Sequence, residues 1–346
     1  MAKQGTFAGA DAVELTTVSR GGFVESRHLG AAAVVDAEGE PLGALGDVRA
    51  PILPRSTLKF VQALASLEAG APIEGEHLAI ACGSHSGTPL HVALVRDVLE
   101  RAGLDERALQ CPPAWPIDSA SRTALVRSGE PNAPIYMECS GKHAAMLAAC
   151  VAAGWPIDDY LDPGHPLQQR IAETLARFSG ERIAASAVDG CGAPVHAVSL
   201  LGLARAMARI ASSQESSPFG IFRSAARVWH DARRHPWALA GQGRADTLIG
   251  EELGVLAKSG AEGVYVAVAP NGVSAAVKFL DGSGRGAPLV ALQLLVTAGA
   301  LDPDLAAPLI PRLGLEVLGG GRTVGHVSLG AGVPNRFAPV VDSPFA

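Results

Sequence analysis

A chain of 346 residues that is 48% hydrophobic and only 18% charged has enough apolar side chain for one large core or two closely packed lobes, and disorder is excluded. Its formal net charge of −6, with no basic stripe, argues against nucleic acid or an anionic membrane as partner and favours a small-molecule substrate. The amino-terminal stretch lacks the layout of a signal peptide, no apolar run is long enough to span a bilayer, and the five cysteines are scattered and odd in number, so the expectation is a cytoplasmic protein with reduced thiols or metal ligands.

In chain order, residues 11–50 read as strands. Ala31–Val35, a polar turn from Asp36 to Pro41 and a second apolar stretch predict a hairpin. Residues 56–260 are mostly helical in period. Leu58, Val61, Leu64 and Leu67 fall at helical spacing with Gly70 as a stop, Thr88-Pro89 opens a second helix, Ser140–Ala153 ends at Gly154, and Pro166–Phe178 follows. Further helices are expected near 218–233 and 247–257. Residues 263–269, a Pro-Asn-Gly turn and Val273–Phe279 form the strongest hairpin pattern, and a helix with Pro288 in its first turn covers 286–299. The glycine run Gly319–Gly321 lacks the Lys-Ser/Thr of a phosphate loop and reads as a strand-end turn. The architecture implied is α/β of the α+β kind, one catalytic unit with a sheet lobe (about 11–55 and 260–346) built from both chain ends and a helical lobe (about 56–259) between.

Three short motifs bear on chemistry. Ser56-Thr-Leu-Lys59 at a helix start places a hydroxyl and an amine on one face, and a lysine made neutral by burial can take the proton of a serine nucleophile. Ser84-His85-Ser86 lies in a glycine-flanked loop, and Lys258-Ser259-Gly260 precedes the later hairpin. Singly, each has a bland reading as a cap, a turn or an edge charge. Their order, S-x-x-K, S-x-S, K-S-G, is that of serine β-lactamases, penicillin-binding proteins and glutaminases. A fourth group, Cys139-Ser-Gly-Lys142-His143 at a helix start and Asp189-Gly-Cys191-Gly in a tight turn, could hold zinc or could be buried thiols acting as small hydrophobes.

Together with Arg20–Ser26, His28 and Lys258–Gly263, these motifs resemble the asparaginase II family of the rhizobial type over about residues 15–330. The resemblance implies a β-lactamase/glutaminase-like fold and L-asparaginase activity, with two serine–lysine pairs, Ser56 with Lys59 and Ser84 with Lys258. It also implies a supporting zinc on Cys139, Lys142 and Cys191, with Asp189, Arg55 and His143 around it, and a homodimer. Glu138 stands where that family commonly has asparagine. The expected nucleophile is Ser56 activated by Lys59, with Arg55 for the substrate carboxylate and Asp189 or Glu25 for its amine. Other readings are a glutaminase or related acyl-transfer enzyme, a zinc amidase, and a non-catalytic zinc or amino-acid sensor.

Overall fold

The structure is a computed structural model that describes residues 5–337. Among these, the strands are β1 (Val13–Arg20), β2 (Phe23–Val35), β3 (Pro41–Leu45), β4 (Pro51–Ile52), β5 (Ala185–Val188), β6 (Pro194–Ser199), β7 (Leu256–Gly260), β8 (Val264–Val268), β9 (Ser274–Phe279), β10 (Glu316–Gly319) and β11 (Arg322–Leu329). The large sheet runs β10-β11-β1-β2-β9-β8-β7, with β3 also on β2, and its paired strands are antiparallel. It joins the two chain ends where β2 pairs with β9, as the apolar patterns at 31–35 and 273–279 predict.

Strand alternation explains how one sheet serves two cores. Ala31, Ala33, Val264, Val266 and Ala276 face the helical lobe, whereas Ala32, Val34, Tyr265, Ala267, Val277 and Phe279 face the helix Ala287–Thr297. With both faces covered, β8 and the Ala31–Val35 part of β2 are continuously apolar.

The helices Pro89–Arg101, Ser140–Ala153 and Pro166–Ser179 lie where their caps and stops place them. Thr88 caps the first, and left-handed glycines 154 and 180 end the other two. Three details differ from the sequence reading. Ser56 lies in a 3-10 turn (Arg55–Leu58) that precedes the helix Lys59–Glu68. The helix expected to reach 257 stops at the left-handed Gly254, so Lys258 lies inside β7 rather than before a strand. The middle of the chain is not wholly helical either, since β4-β6-β5 form a small antiparallel sheet.

Two helices meet closely at Gly141. A Cβ there would stand 2.6 Å from the Ile80 carbonyl oxygen of the helix Glu76–Ala81, which leads directly to Ser84. Gly141→Ala should therefore lower stability by about 1–3 kcal/mol, read by denaturant unfolding, because a backbone atom cannot move aside cheaply.

Candidate active site

Ser84 is the point of convergence. Its hydroxyl lies 2.9 Å from Lys59 Nζ and 2.9 Å from Lys258 Nζ, two side chains that are 1% and 0% exposed. Lys59 donates also to the carbonyl oxygens of Gly83 and, at 3.3 Å, of Glu138, three acceptors that match the three donors of an ammonium. Lys258 has one further acceptor, the Ser259 carbonyl at 2.6 Å. Burial, and then the Lys59 charge, push Lys258 down to about 7. A neutral Lys258 amine can accept the Ser84 proton while Lys59 donates to the same oxygen.

Each partner is held from behind. Buried Asp246 accepts Ser259 N–H (2.8 Å), Ser259 Oγ (2.7 Å) and Tyr265 OH (2.8 Å), which anchors β7 beside Lys258. The Ser84 loop is clamped through its own histidine. His85 Nδ1 accepts Gly87 N–H (3.2 Å), so Nε2–H donates to Ser140 Oγ (2.8 Å), whose hydroxyl donates to the Ile135 carbonyl (2.9 Å). Burial, His91 and Lys59 drive the His85 pKa well down, consistent with that neutral tautomer. Gly260 lets β7 lie on the 3-10 turn, since a Cβ there would stand 3.1 Å from the Pro54 carbonyl oxygen.

The cysteine motifs also meet. Lys142 Nζ lies 2.9 Å from Cys191 Sγ, and the Cys139 thiol donates to the same sulfur. That thiol hydrogen bond, opposed by burial and reinforced by the Lys142 charge, lowers Cys191 to about 5. Burial opposes the Lys142 ammonium, yet the two sulfurs beside it raise its pKa. Among the described residues no group of three or more His, Cys, Asp or Glu forms a metal cluster, so the two sulfurs act as ligands only with Lys142 as third donor.

His143 is neutral, its pKa driven well down by burial and the Lys142 charge. Tyr160 OH accepts Gln110 N–H at 3.2 Å, which directs its own proton to His143 Nδ1 at 2.7 Å and leaves the proton of the ring on Nε2. That buried nitrogen has no partner among the described residues.

Arg55 holds an unusual backbone, φ 52°, and grips Asp189 Oδ1 through Nε (2.9 Å) and Nη2 (2.8 Å). Burial would raise the Asp189 carboxyl, but the Arg55 hydrogen bonds and the Gly190 N–H hold it below its ordinary value. Glu262, with φ 58°, places its carboxylate 3.9 Å from Arg55 Nη1.

Two expected residues are placed differently. Ser56 is half-buried and its hydroxyl makes no hydrogen bond among the described residues, whereas Lys59 donates to Ser84. Glu25 pairs with Arg20 at 3.1 Å on the exposed end of β2. It lies six residues, or ~20 Å of strand, from Ala31, which pairs with Lys278. Asp246 and Tyr160 were not singled out by the sequence, since single residues on separate elements carry no motif, and Glu262 lies in the Lys258–Gly263 motif without a role of its own there.

Comparison with known proteins adds a family. A profile described as L-asparaginase II matches residues 16–329. No curated protein matches. Solved structures with a similar fold include Mglu in its native form (14% identity, 80% of this chain and 66% of that one, TM-score 0.42). They also include a β-lactamase from Mycobacterium bovis (16%, 83% and 95%, 0.41) and a glutaminase from Bacillus subtilis in covalent complex with 5-oxo-L-norleucine (10%, 79% and 89%, 0.36). The chain spans about two thirds of the length of Mglu.

Tyr160→Phe should release the His143 tautomer. Nitrogen-15 spectra should then show both ring nitrogens partly protonated, and turnover of the amide substrate should fall about tenfold.

Proposed function

The chain belongs to the L-asparaginase II family, and from that premise we propose that it hydrolyses the side-chain amide of L-asparagine, giving L-aspartate and ammonia, through an acyl-serine. Family membership supports an amidohydrolase; the substrate and the route are the proposal. The observation that carries the route is the Ser84 hydroxyl held between two buried lysine amines.

In this reading Ser84, rather than Ser56, is the nucleophile. Ser84 Oγ attacks the amide carbon as its proton passes to the neutral Lys258 amine. Lys258 returns that proton to the leaving nitrogen, the carbon–nitrogen bond breaks, and ammonia departs. Water then adds to the ester carbon, giving its proton to Lys258, and the carbon–oxygen bond breaks to free aspartate and restore Ser84. Lys59 holds the serine oxygen in place throughout and stabilises its developing charge. The Ser84 N–H is committed to the Leu239 carbonyl at 2.6 Å and is not an oxyanion donor. Ser56, with its free hydroxyl, serves as the second serine of the site, donating to the bound substrate. Arg55 Nη1 takes the substrate α-carboxylate, and Asp189 or Glu262 its amine.

Zinc on Cys139, Lys142 and Cys191 belongs to the same proposal. The residues fit, because two sulfurs, one of them a thiolate, and an amine 2.9 Å away make a donor set that suits zinc. When bound, it would supply positive charge beside the substrate. A homodimer in the cytoplasm completes the proposal; among the described residues no helix is long and apolar enough to cross a membrane.

Ser84→Ala should lower turnover of asparagine at least ~10³-fold and abolish the acyl-enzyme seen by mass spectrometry, with a smaller loss for Ser56→Ala. The reverse ranking would overturn the assignment of the nucleophile. Because Lys258 must be neutral to accept a proton, kcat/KM should fall as pH drops below about 7 and level off above it. Asparagine against glutamine is read by ammonia release, since one methylene distinguishes substrates by only about 1–3 kcal/mol. Cys191→Ser should lose bound zinc by elemental analysis, and metal uptake should weaken as pH falls because Lys142 must lose its proton to bind.

A further inference from the structure

A cavity of about 830 Å³ opens along the helix Pro89–Arg101, and its lining includes Ser86, Leu90, Ala93, Leu94, Asp118 and Trp237. None of the residues given a part in hydrolysis, substrate recognition or zinc binding lines it. Val92, Val95, Val98 and Leu99 turn the buried face of that helix to the core. Leu90, Ala93 and Leu94, at i, i+3 and i+4, form the wall of the cavity instead, and Leu90 is 64% exposed.

Two polar side chains meet in this lining. Asp118 N–H donates to the Ser86 carbonyl oxygen at 2.9 Å, which sets the two residues side by side. Ser86 is 6% exposed, and its hydroxyl has no hydrogen-bond partner among the described residues. A Cβ at Gly241, where φ is 123°, would stand 2.1 Å from that oxygen, so only glycine leaves the hydroxyl its place. A buried hydroxyl without a partner is unfavourable until something bonds to it. Asp118 Oδ2 accepts Ser121 N–H (2.8 Å) and Ser121 Oγ–H (2.6 Å), which hold the carboxyl below its ordinary range. Asp118 Oδ1 accepts nothing among the described residues. The other two acids of the lining have basic neighbours, Asp97 in His77 (2.6 Å) and Arg101 (3.0 Å), and Glu76 in His235 (3.6 Å). Among the described residues no lysine or arginine lines the cavity. Its one histidine, His91, is held down by burial, with Nδ1 accepting from Thr88 and Nε2 donating to the Trp237 carbonyl. Asp118 is therefore an ionised carboxylate with no cation against it.

We propose that this cavity is a binding site for a free arylalkylamine, a small primary amine with an apolar aromatic body. The ammonium donates to Asp118 Oδ1 and Ser86 Oγ, two acceptors that nothing else uses, and the ring packs on Leu90, Ala93, Leu94 and Trp237. The unpaired carboxylate selects the charge of the ligand, and the exposed helix wall selects its apolar body. Nothing in this assignment depends on asparagine being the substrate.

Phenethylamine is the probe, titrated calorimetrically against the full chain at neutral pH. The wild type should bind it, and phenethyl alcohol, alike in shape but uncharged, should bind about tenfold more weakly. Asp118→Asn, which can still cap Ser121, should weaken the amine by a similar factor and leave the alcohol unchanged. Ala93→Trp, which fills the cavity from an exposed helix position, should abolish binding of both. Ser84→Ala should bind the amine as the wild type does, and saturating asparagine should not displace it from that variant. No amine binding by the wild type, equal affinity for amine and alcohol, or unchanged amine binding in Asp118→Asn or Ala93→Trp would each overturn the proposal. So would displacement by asparagine, which would make the cavity part of the substrate site. Failure of asparagine hydrolysis alone would leave it standing.

Discussion

Two lysines buried against one serine hydroxyl set the terms for the rest of this molecule. A buried ammonium is tolerated only where acceptors replace water, and two neighbouring ammoniums repel one another. The fold answers asymmetrically. Lys59 has three oxygen acceptors, whereas Lys258 has two and is pushed down to about 7. The asymmetry supplies a base and a fixed donor on one oxygen, which is the division of labour that an acyl-transfer serine needs.

The Ser140–Ala153 helix carries much of the supporting structure. The Glu138 carbonyl just before it accepts from Lys59, Ser140 clamps His85, Lys142 meets the Cys191 sulfur, and His143 is fixed by Tyr160. Four contacts within six residues explain why this segment reads as a dense motif. They also explain why Glu138 is accommodated: its backbone oxygen does the work, and its side chain makes no hydrogen bond among the described residues.

The second polar group, Cys139, Lys142 and Cys191, shows how a single proton organises a pair of thiols. Cys139 keeps its proton and donates a hydrogen bond to Cys191, which is the thiolate that Lys142 neutralises. Arg55 grips Asp189, which lies two residues before Cys191 in the same turn.

Much of this was legible in the sequence. Caps and stops at Thr88, Gly154 and Gly180, and the apolar runs around 31–35 and 264–279, determined the helices and the joining of the two chain ends, because those signals act within one turn or one strand. The motifs likewise marked Ser84, Lys59, Lys258, Cys139, Lys142 and Cys191 as candidates. Which groups touch was decided only by tertiary structure. Lys59 reaches Ser84, 25 residues further along the chain, and Gly254 ends a helix early so that Lys258 enters a strand. Asp246 and Tyr160 acquire their roles from neighbours 13 to 50 residues away, and local sequence spacing carries no record of such contacts. The serine and both lysines were therefore written in the sequence, while their meeting on one hydroxyl was decided by packing, since only a closed core can hold two amines against the same oxygen without water.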